Sequence, residues 1–493
     1  MFSSRKQYID HINDLYDTSR EKNLLIGSSD YWPVVRIHLS YLCHLKFVGK
    51  EISYPGLATF SKFSFPKLLS LVRRRINLEL LIRKYKFDSK NIILLIGFND
   101  HYSKSGINPY IHPVINLLNE NKIENKTLIL RNIDNEEYET SLSELFNSLF
   151  SYYDDLFYLG KNNSSLAVSH EIAKEIKEHF LFEDFDKGSI EGVCNKIANE
   201  CNKSIIYRKT FLKFLQIIKP SIIWTSVYYD NRILSLNLVA NKLKIPIIEY
   251  QHSMQGNDHF AYSKWENIDM IRNYFPSIYW VWRNSDAEMI KKNFCGDIYQ
   301  PKILEGGNIY LAQEKSKVDP PEKDNEKANG ILVTLQGLWV PSFVEEAVEK
   351  CLGFTWYFRL HPRYPVDRSK LEELKWKFPD RVEIEQANNL SLYQIFNKVR
   401  FNLTSFSGTA IEAHAFGIIN VIFSAEGESA YSDMISNKAF LYASNFSELQ
   451  NILNSNSLEV NLNYNRMETD MEIIKRSIYK LPNVFHHIED DLR

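Results

Sequence analysis

Cysteine is scarce in this 493-residue chain, and its five residues (Cys43, Cys194, Cys201, Cys295 and Cys351) are scattered. The number is odd and no two stand in a Cys-x-x-Cys spacing, so neither a disulfide framework nor a zinc knuckle is expected. A reducing cytoplasm suits such a chain. An excess of one charge is lacking too: 59 Lys and Arg against 61 Asp and Glu leave a formal net charge of -2. A protein built around general nucleic-acid binding carries a basic excess, so no nucleic-acid partner is expected. Long hydrophobic runs are missing, none approaching the ~20 residues of a spanning helix. Met1-Phe2-Ser3-Ser4-Arg5-Lys6 leads into polar sequence without the apolar centre of a signal peptide, and a cytoplasmic location is expected. Asn-x-Ser/Thr triplets such as Asn402-Leu403-Thr404 are then chance occurrences.

The hydrophobic fraction of 44% and charged fraction of 24% are those of a globular protein. At about 100–200 residues per domain the length implies two to four domains. Residues 1–90 read as helical and hold a basic amphipathic stretch from Lys67 to Lys86, including Arg73-Arg74-Arg75. Such a face reads first as a solvated surface helix; the alternatives are peripheral contact with anionic lipid at the inner face of the cytoplasmic membrane and binding of an acidic acceptor. Residues 91–305 read as a first α/β domain. Its strands are expected at Ile92–Ile96, Thr127–Arg131, Ser221–Thr225, Ile245–Glu249 and Ile278–Trp282, with a helix at Arg232–Leu243 between the third and fourth. The segment Ser316–Asn329, dense in Lys, Glu, Asp and Pro, cannot bury a core and reads as a connection. Residues 306–465 read as a second α/β domain, with strands at Ile331–Leu335, Thr355–Leu360, Arg381–Glu385, Phe401–Thr404, Asn420–Phe423 and Ala439–Tyr442. Residues 466–493 read as a helical tail that could pack back on the first domain. The expected fold class is α/β: two Rossmann-like doubly wound parallel-sheet domains facing a cleft, with an N-terminal helical embellishment.

Ligands of open parallel sheets bind beyond the carboxyl ends of the strands. At one such end stand Arg359, His361 and Arg363, cationic or imidazole donors suited to phosphate oxygens. At another, Ser405, Ser407 and Thr409 supply hydroxyls, Gly408 permits close backbone approach, and a helix start favours an anion. Glu412, one turn into that helix, is placed to accept from ribose hydroxyls; an ordinary first-turn acid is the alternative. Gly337 adds a third loop at the same edge, and Trp339 beside it either stacks on a base or packs. In the first domain Glu249-Tyr250-Gln251-His252 follows a buried strand. A transfer reaction must take a proton from the attacking hydroxyl, for which His252 is the leading candidate and Asp258, Glu249 and Asp100 are reserves. Separately, each signal also arises as a helix cap or a packed histidine; together they describe a nucleotide-type pocket.

Gln251-His252, the turn Gly307-Asn308, Arg359-Leu360-His361-Pro362 and Ser407-Gly408-Thr409-Ala410-Ile411-Glu412-Ala413 resemble the bacterial capsule and cell-surface polysaccharide transferases of the GT-B fold. That group includes CDP-glycerol glycerophosphotransferases and Kdo-transferring capsule enzymes, and the likeness spans about residues 220–450. It implies a metal-independent glycosyltransferase without cofactor, binding a nucleotide-sugar donor through the C-terminal domain and a glycan or glycolipid acceptor through the N-terminal one. The His-Pro segment is also similar to that of bacterial sialyltransferases, which implies a CMP- or CDP-linked donor with His361 on its phosphate. Two departures stand out: Ser253 replaces the glycine that often follows Gln-His, and a sialyltransferase-type acidic base motif is absent. A nucleotide-sugar 2-epimerase, with a similar Ser-Gly-x-x-x-Glu segment, and a non-catalytic glycan-binding protein or scaffold are the rival readings.

Overall fold

The computed structural model describes residues 29–47, 65–85, 92–102, 106–130, 140–159, 187–252, 259–265, 267–317, 329–337, 339–361, 368–455 and 457–479, with positions 7, 12, 25–26, 173–174, 176–177 and 255. Strands β1 (Ile93–Phe98), β2 (Asn125–Leu130), β3 (Ile222–Thr225), β4 (Ile247–Tyr250), β5 (Ile278–Val281) and β6 (Lys302–Glu305) make one sheet in the order β2-β1-β3-β4-β5-β6. Strands β1 to β5 run parallel. Every residue of β1, β3, β4 and β5 is buried, as in strands covered on both faces. Helix α1 (Trp32–Phe47) packs on the 32-residue helix Lys187–Ile218, and α2 (Phe65–Lys84) on Ser141–Leu159. Between β3 and β4 lies α3 (Asn231–Lys242), started by Asp230, whose carboxylate accepts from the Arg232 backbone N–H. Such a cap contributes about 1 kcal/mol and fixes where the loop after β3 ends.

The second sheet holds β7 (Gly330–Thr334), β8 (Thr355–Arg359), β9 (Val382–Glu383), β10 (Phe401–Thr404), β11 (Ile419–Ile422) and β12 (Phe440–Tyr442), ordered β9-β8-β7-β10-β11-β12 and parallel throughout. Its core gathers Ile331, Val333, Trp356, Phe358, Leu403 and Val421. The first sheet reverses direction of growth between β1 and β3, the second between β7 and β10. Both are doubly wound, and two Rossmann-like domains in tandem constitute the GT-B fold. Contacts divide the chain into one unit of Met1–Val281 with Asp286–Leu304 and another of Trp282–Ser285 with Glu305–Ile478. The short stretch Trp282–Ser285 is tied into its unit by Glu468 N–H donating to the Trp282 carbonyl at 3.1 Å and Asn465 Nδ2 to Ser285 Oγ at 2.6 Å.

The strands expected from sequence are all present, with ends shifted by a residue or two. Strand β6 is an addition: Lys302-Ile303-Leu304-Glu305 is partly exposed along its length and follows Pro301, so no apolar run announces it. Among the described residues no helix is long and apolar enough to cross a membrane. Residues 318–328, within the expected connection, and 480–493, within the expected tail, lie outside the described residues.

Candidate functional site

In the C-terminal sheet the reversal brings the ends of β7 and β10 side by side. Thr404 Oγ1 donates to the Thr334 carbonyl at 3.4 Å, and the Phe406 N–H donates to Gln336 Oε1 at 3.2 Å. Gly337 turns the loop after β7 with φ +81, a conformation glycine adopts without steric cost. After β10, Ser405 Oγ donates to Ser424 Oγ at 2.7 Å and Ser407 Oγ to Thr409 Oγ1 at 3.0 Å, while Tyr431 OH donates to the Ser407 carbonyl at 2.6 Å. Helix Thr409–Ala415 starts there. Gly427 supports the loop from behind: a Cβ at this position would lie 1.7 Å from the Ser405 carbonyl oxygen. Gly408 is exposed, and a Cβ there would meet nothing within 4 Å, which leaves open space over the loop. Phe406, 38% exposed between the two serines, is a candidate base-stacking residue that the sequence reading passed over. An aromatic between two serines was the available signal.

One strand away, at the end of β8, Arg359 Nη1 donates to the carbonyls of Ala387 at 2.6 Å and Leu390 at 2.9 Å. Asn388 reinforces the join, accepting from the Leu360 N–H at 2.9 Å and donating to the Phe358 carbonyl at 3.0 Å. Arg359 therefore anchors the segment Glu385–Asn389 as well as standing at the strand end. Burial pushes the Glu412 carboxyl up to about 7, against the opposing pull of Arg359 and a hydrogen bond from Tyr393. Burial likewise lowers the Arg359 guanidinium, with Glu412 opposing the shift. His361 is half-buried just past the same strand. Arg363 lies outside the described residues. Trp339 donates through Nε1 to Glu345, and the Lys370 ammonium sits 5.5 Å from its ring centroid, so this side chain is already engaged.

The N-terminal sheet places a different set at its reversal. Asn99–His101 forms a single 3-10 turn directly after β1, carrying Asp100 and His101. After β3, Val227 adopts φ +59, a left-handed conformation that is an outlier for a β-branched residue and marks a strained turn. Tyr229, two residues on, places its hydroxyl 3.1 Å from His252 Nε2, and Tyr110 OH donates to the His252 carbonyl at 3.0 Å. The His101 and Tyr110 rings meet edge to face at 5.0 Å, and His259 lies 5.3 Å from Tyr229. Three imidazoles thus surround two tyrosines at one strand-end edge. Although His252 keeps some exposure, burial holds its imidazole down at about 3, with His101 pushing the same way. Without ligand His252 is a neutral imidazole across the physiological range.

Glu249, at 1% exposure, sits behind this cluster on β4. Its Oε1 accepts from Tyr262 OH at 2.6 Å and from the Tyr228 N–H at 3.3 Å, while Oε2 has no hydrogen-bond partner. Burial raises this carboxyl to about 8, so it is protonated at neutral pH. Next to it Gln251 donates through Nε2 to Asp286 Oδ2 at 3.1 Å, which fixes the chain that carries His252. Asp258 lies outside the described residues. Among the described residues no group of three or more His, Cys, Asp or Glu side chains is arranged to hold a metal ion. An Asp-x-Asp triplet, a spacing that offers two carboxylates to a divalent cation, stands at Asp184-Phe185-Asp186 outside the described residues. The expectation of metal independence accordingly rests on the resemblance and on the cationic groups at the C-terminal strand ends.

No family model and no curated protein sequence matches the chain. Solved structures do resemble it in fold. MnaA of S. aureus with UDP is 13% identical, covering 80% of this chain and 97% of its own, with a TM-score of 0.49. The UDP-GlcNAc 2-epimerase of Methanocaldococcus jannaschii with UDP-GlcNAc and UDP is 14% identical, covering 80% and 99%, with a TM-score of 0.44. MurG of Acinetobacter baumannii is 11% identical, covering 81% and 99%, with a TM-score of 0.38. The strand order, rather than these distant likenesses, carries the assignment of fold.

Proposed function

We propose that this chain is a glycosyltransferase of GT-B fold that moves a sugar, or a sugar-like phosphate unit, from a nucleotide donor to a hydroxyl of a cell-surface glycan. The observation that carries the reading is the pair of reversal points with complementary chemistry. The C-terminal one offers Gly337, Ser405, Ser407, Gly408 and Thr409 around open space, with His361 and Arg359 one strand away, groups suited to a diphosphate or monophosphate. Glu412, half-protonated near neutral pH, is the group assigned to the ribose hydroxyls in this reading, and the exposed Phe406 the one assigned to the base. The N-terminal reversal offers imidazole, phenol and carboxyl groups suited to proton transfer.

In this reading His252 accepts the proton of the attacking hydroxyl. Held down by burial, its imidazole is neutral at physiological pH, the protonation state a base needs. Tyr229 orients its Nε2. Asp100 and Asp258 remain the reserve bases. Charge on the leaving phosphate is stabilised by His361, Arg359, Arg363 and the Gly408 backbone N–H, which makes a bound metal ion dispensable. The resemblance to capsule transferases supports a cytidine-linked donor.

The test is product analysis after incubation with CMP-, CDP-, UDP- and GDP-sugars, each with and without glycan acceptors and with EDTA present. Acceptor-dependent transfer in EDTA supports the proposal. Conversion of a nucleotide sugar to its 2-epimer without acceptor would replace transfer by epimerisation. Absence of nucleotide binding across the set would leave the non-catalytic reading standing.

A further inference from the structure

Helix α2 contributes one face to the fold and, among the described residues, leaves the other without a packing partner. Leu78 is buried, and Leu81 and Ile82 pack with it against the N-terminal core. Arg74 Nε pairs with Asp155 at 3.1 Å on this inner side, and Arg75 reaches Glu79 at 2.7 Å and the Tyr152 hydroxyl at 3.5 Å. At 100° per residue, Leu69, Val72, Ile76 and Leu80 fall in one stripe on the opposite side. These four are 54%, 49%, 56% and 59% exposed, an unusual concentration of large aliphatic side chains in water. Exposed Arg73, Arg83 and Lys84 border the stripe, and the helix holds six basic residues against one acid, Glu79.

We propose that the outward face of α2 is a docking surface for an anionic lipid bilayer, with Leu69, Val72, Ile76 and Leu80 dipping into the acyl boundary and Arg73, Arg83 and Lys84 on the headgroup phosphates. Charge complementarity selects this occupant. The whole chain carries a formal charge of only -2, whereas this helix taken by itself has a cationic excess. A second copy presenting the same face would bring like charges together, which opposes self-association. A convex apolar stripe with cationic margins matches an interfacial helix lying in the plane of a membrane. The inference is independent of the proposed reaction.

Flotation with phosphatidylcholine vesicles, with and without phosphatidylserine, tests it on the full chain. Binding is expected only with phosphatidylserine and should weaken in high salt. At about fivefold per basic residue, Arg73→Gln/Arg83→Gln/Lys84→Gln should lower partitioning about 100-fold. Val72→Ser/Ile76→Ser/Leu80→Ser should lower it about tenfold or more. All six positions are exposed, and unchanged far-UV dichroism and melting will show that both variants fold. Absence of wild-type flotation overturns the proposal, as does flotation unaffected by either triple substitution. Loss in the charge variant alone overturns insertion of the stripe. A wild-type dimer that the serine variant disperses, without vesicle binding, would make this face a contact between copies instead.

Discussion

At the reversal of the N-terminal sheet the chain places His101, Tyr110, Tyr229 and His252; at that of the C-terminal sheet it places Gly337, Ser405, Ser407 and Gly408. The scaffolds are alike, each a parallel sheet with buried strands, so the difference lies in the loops after them. Small residues and hydroxyls leave space for an anion. Large rings and a buried carboxyl fill space and hold protons. Under the proposed function, a scaffold repeated with opposite loop chemistry would divide the work between donor binding and proton handling. Each expectation below breaks or sharpens that division.

The largest effect concerns Glu249. Its folded-state carboxyl sits near 8 against about 4.5 unfolded, so the folded chain holds an extra proton between those values and loses stability as pH rises through the window. The slope is at most about 1.4 kcal/mol per pH unit. Glu249→Gln should flatten it, leaving the variant more stable than wild type by several kcal/mol at pH 9 and no more stable at pH 4. Urea denaturation across that range reads the difference; identical pH profiles would show that the carboxyl is not held protonated.

Next, His252→Ala should lower turnover by roughly 100-fold or more. Near-normal turnover, with Asp100→Asn or Asp258→Asn inactive, would move the base to that carboxylate. In the C-terminal domain the paired glycines separate support from ligand space. Gly427→Ala forces its Cβ against the Ser405 carbonyl and should destabilise the domain by about 1–3 kcal/mol. Gly408→Ala meets no protein atom, so its melting should stay near wild type while nucleotide affinity falls. Unchanged affinity would remove this loop from the site. The smallest effect is that of Tyr229→Phe, which deletes the hydroxyl at His252 Nε2 and should slow turnover about fivefold with nucleotide affinity intact.

Much of the fold was legible because parallel strands buried on both faces read as apolar runs: Ile93–Phe98 and Gly330–Thr334 stand out against polar flanks. Strand β6, partly exposed, gave no such signal. The loops after β8 and β10 were legible as Arg359-Leu360-His361 and Ser405-Phe406-Ser407-Gly408, since charged and small residues directly after apolar runs are unusual. The anchoring of Arg359 on Ala387 and Leu390 was not, because those carbonyls are 28 and 31 residues away and backbone acceptors carry no sequence signature. The link between Tyr229 and His252 joins two strand ends and was equally hidden. Val227 in a left-handed turn contradicts its own propensity, so only the backbone shows it.

The division of labour is tested most directly by calorimetric titration of CMP, CDP and UDP into wild type, His361→Ala and His252→Ala. The account expects the tightest-binding nucleotide to lose roughly tenfold to 100-fold in affinity in His361→Ala, as for a lost charge-assisted hydrogen bond, and to change little in His252→Ala. Unchanged affinity in His361→Ala together with a loss in His252→Ala would contradict it and place the nucleotide on the N-terminal sheet.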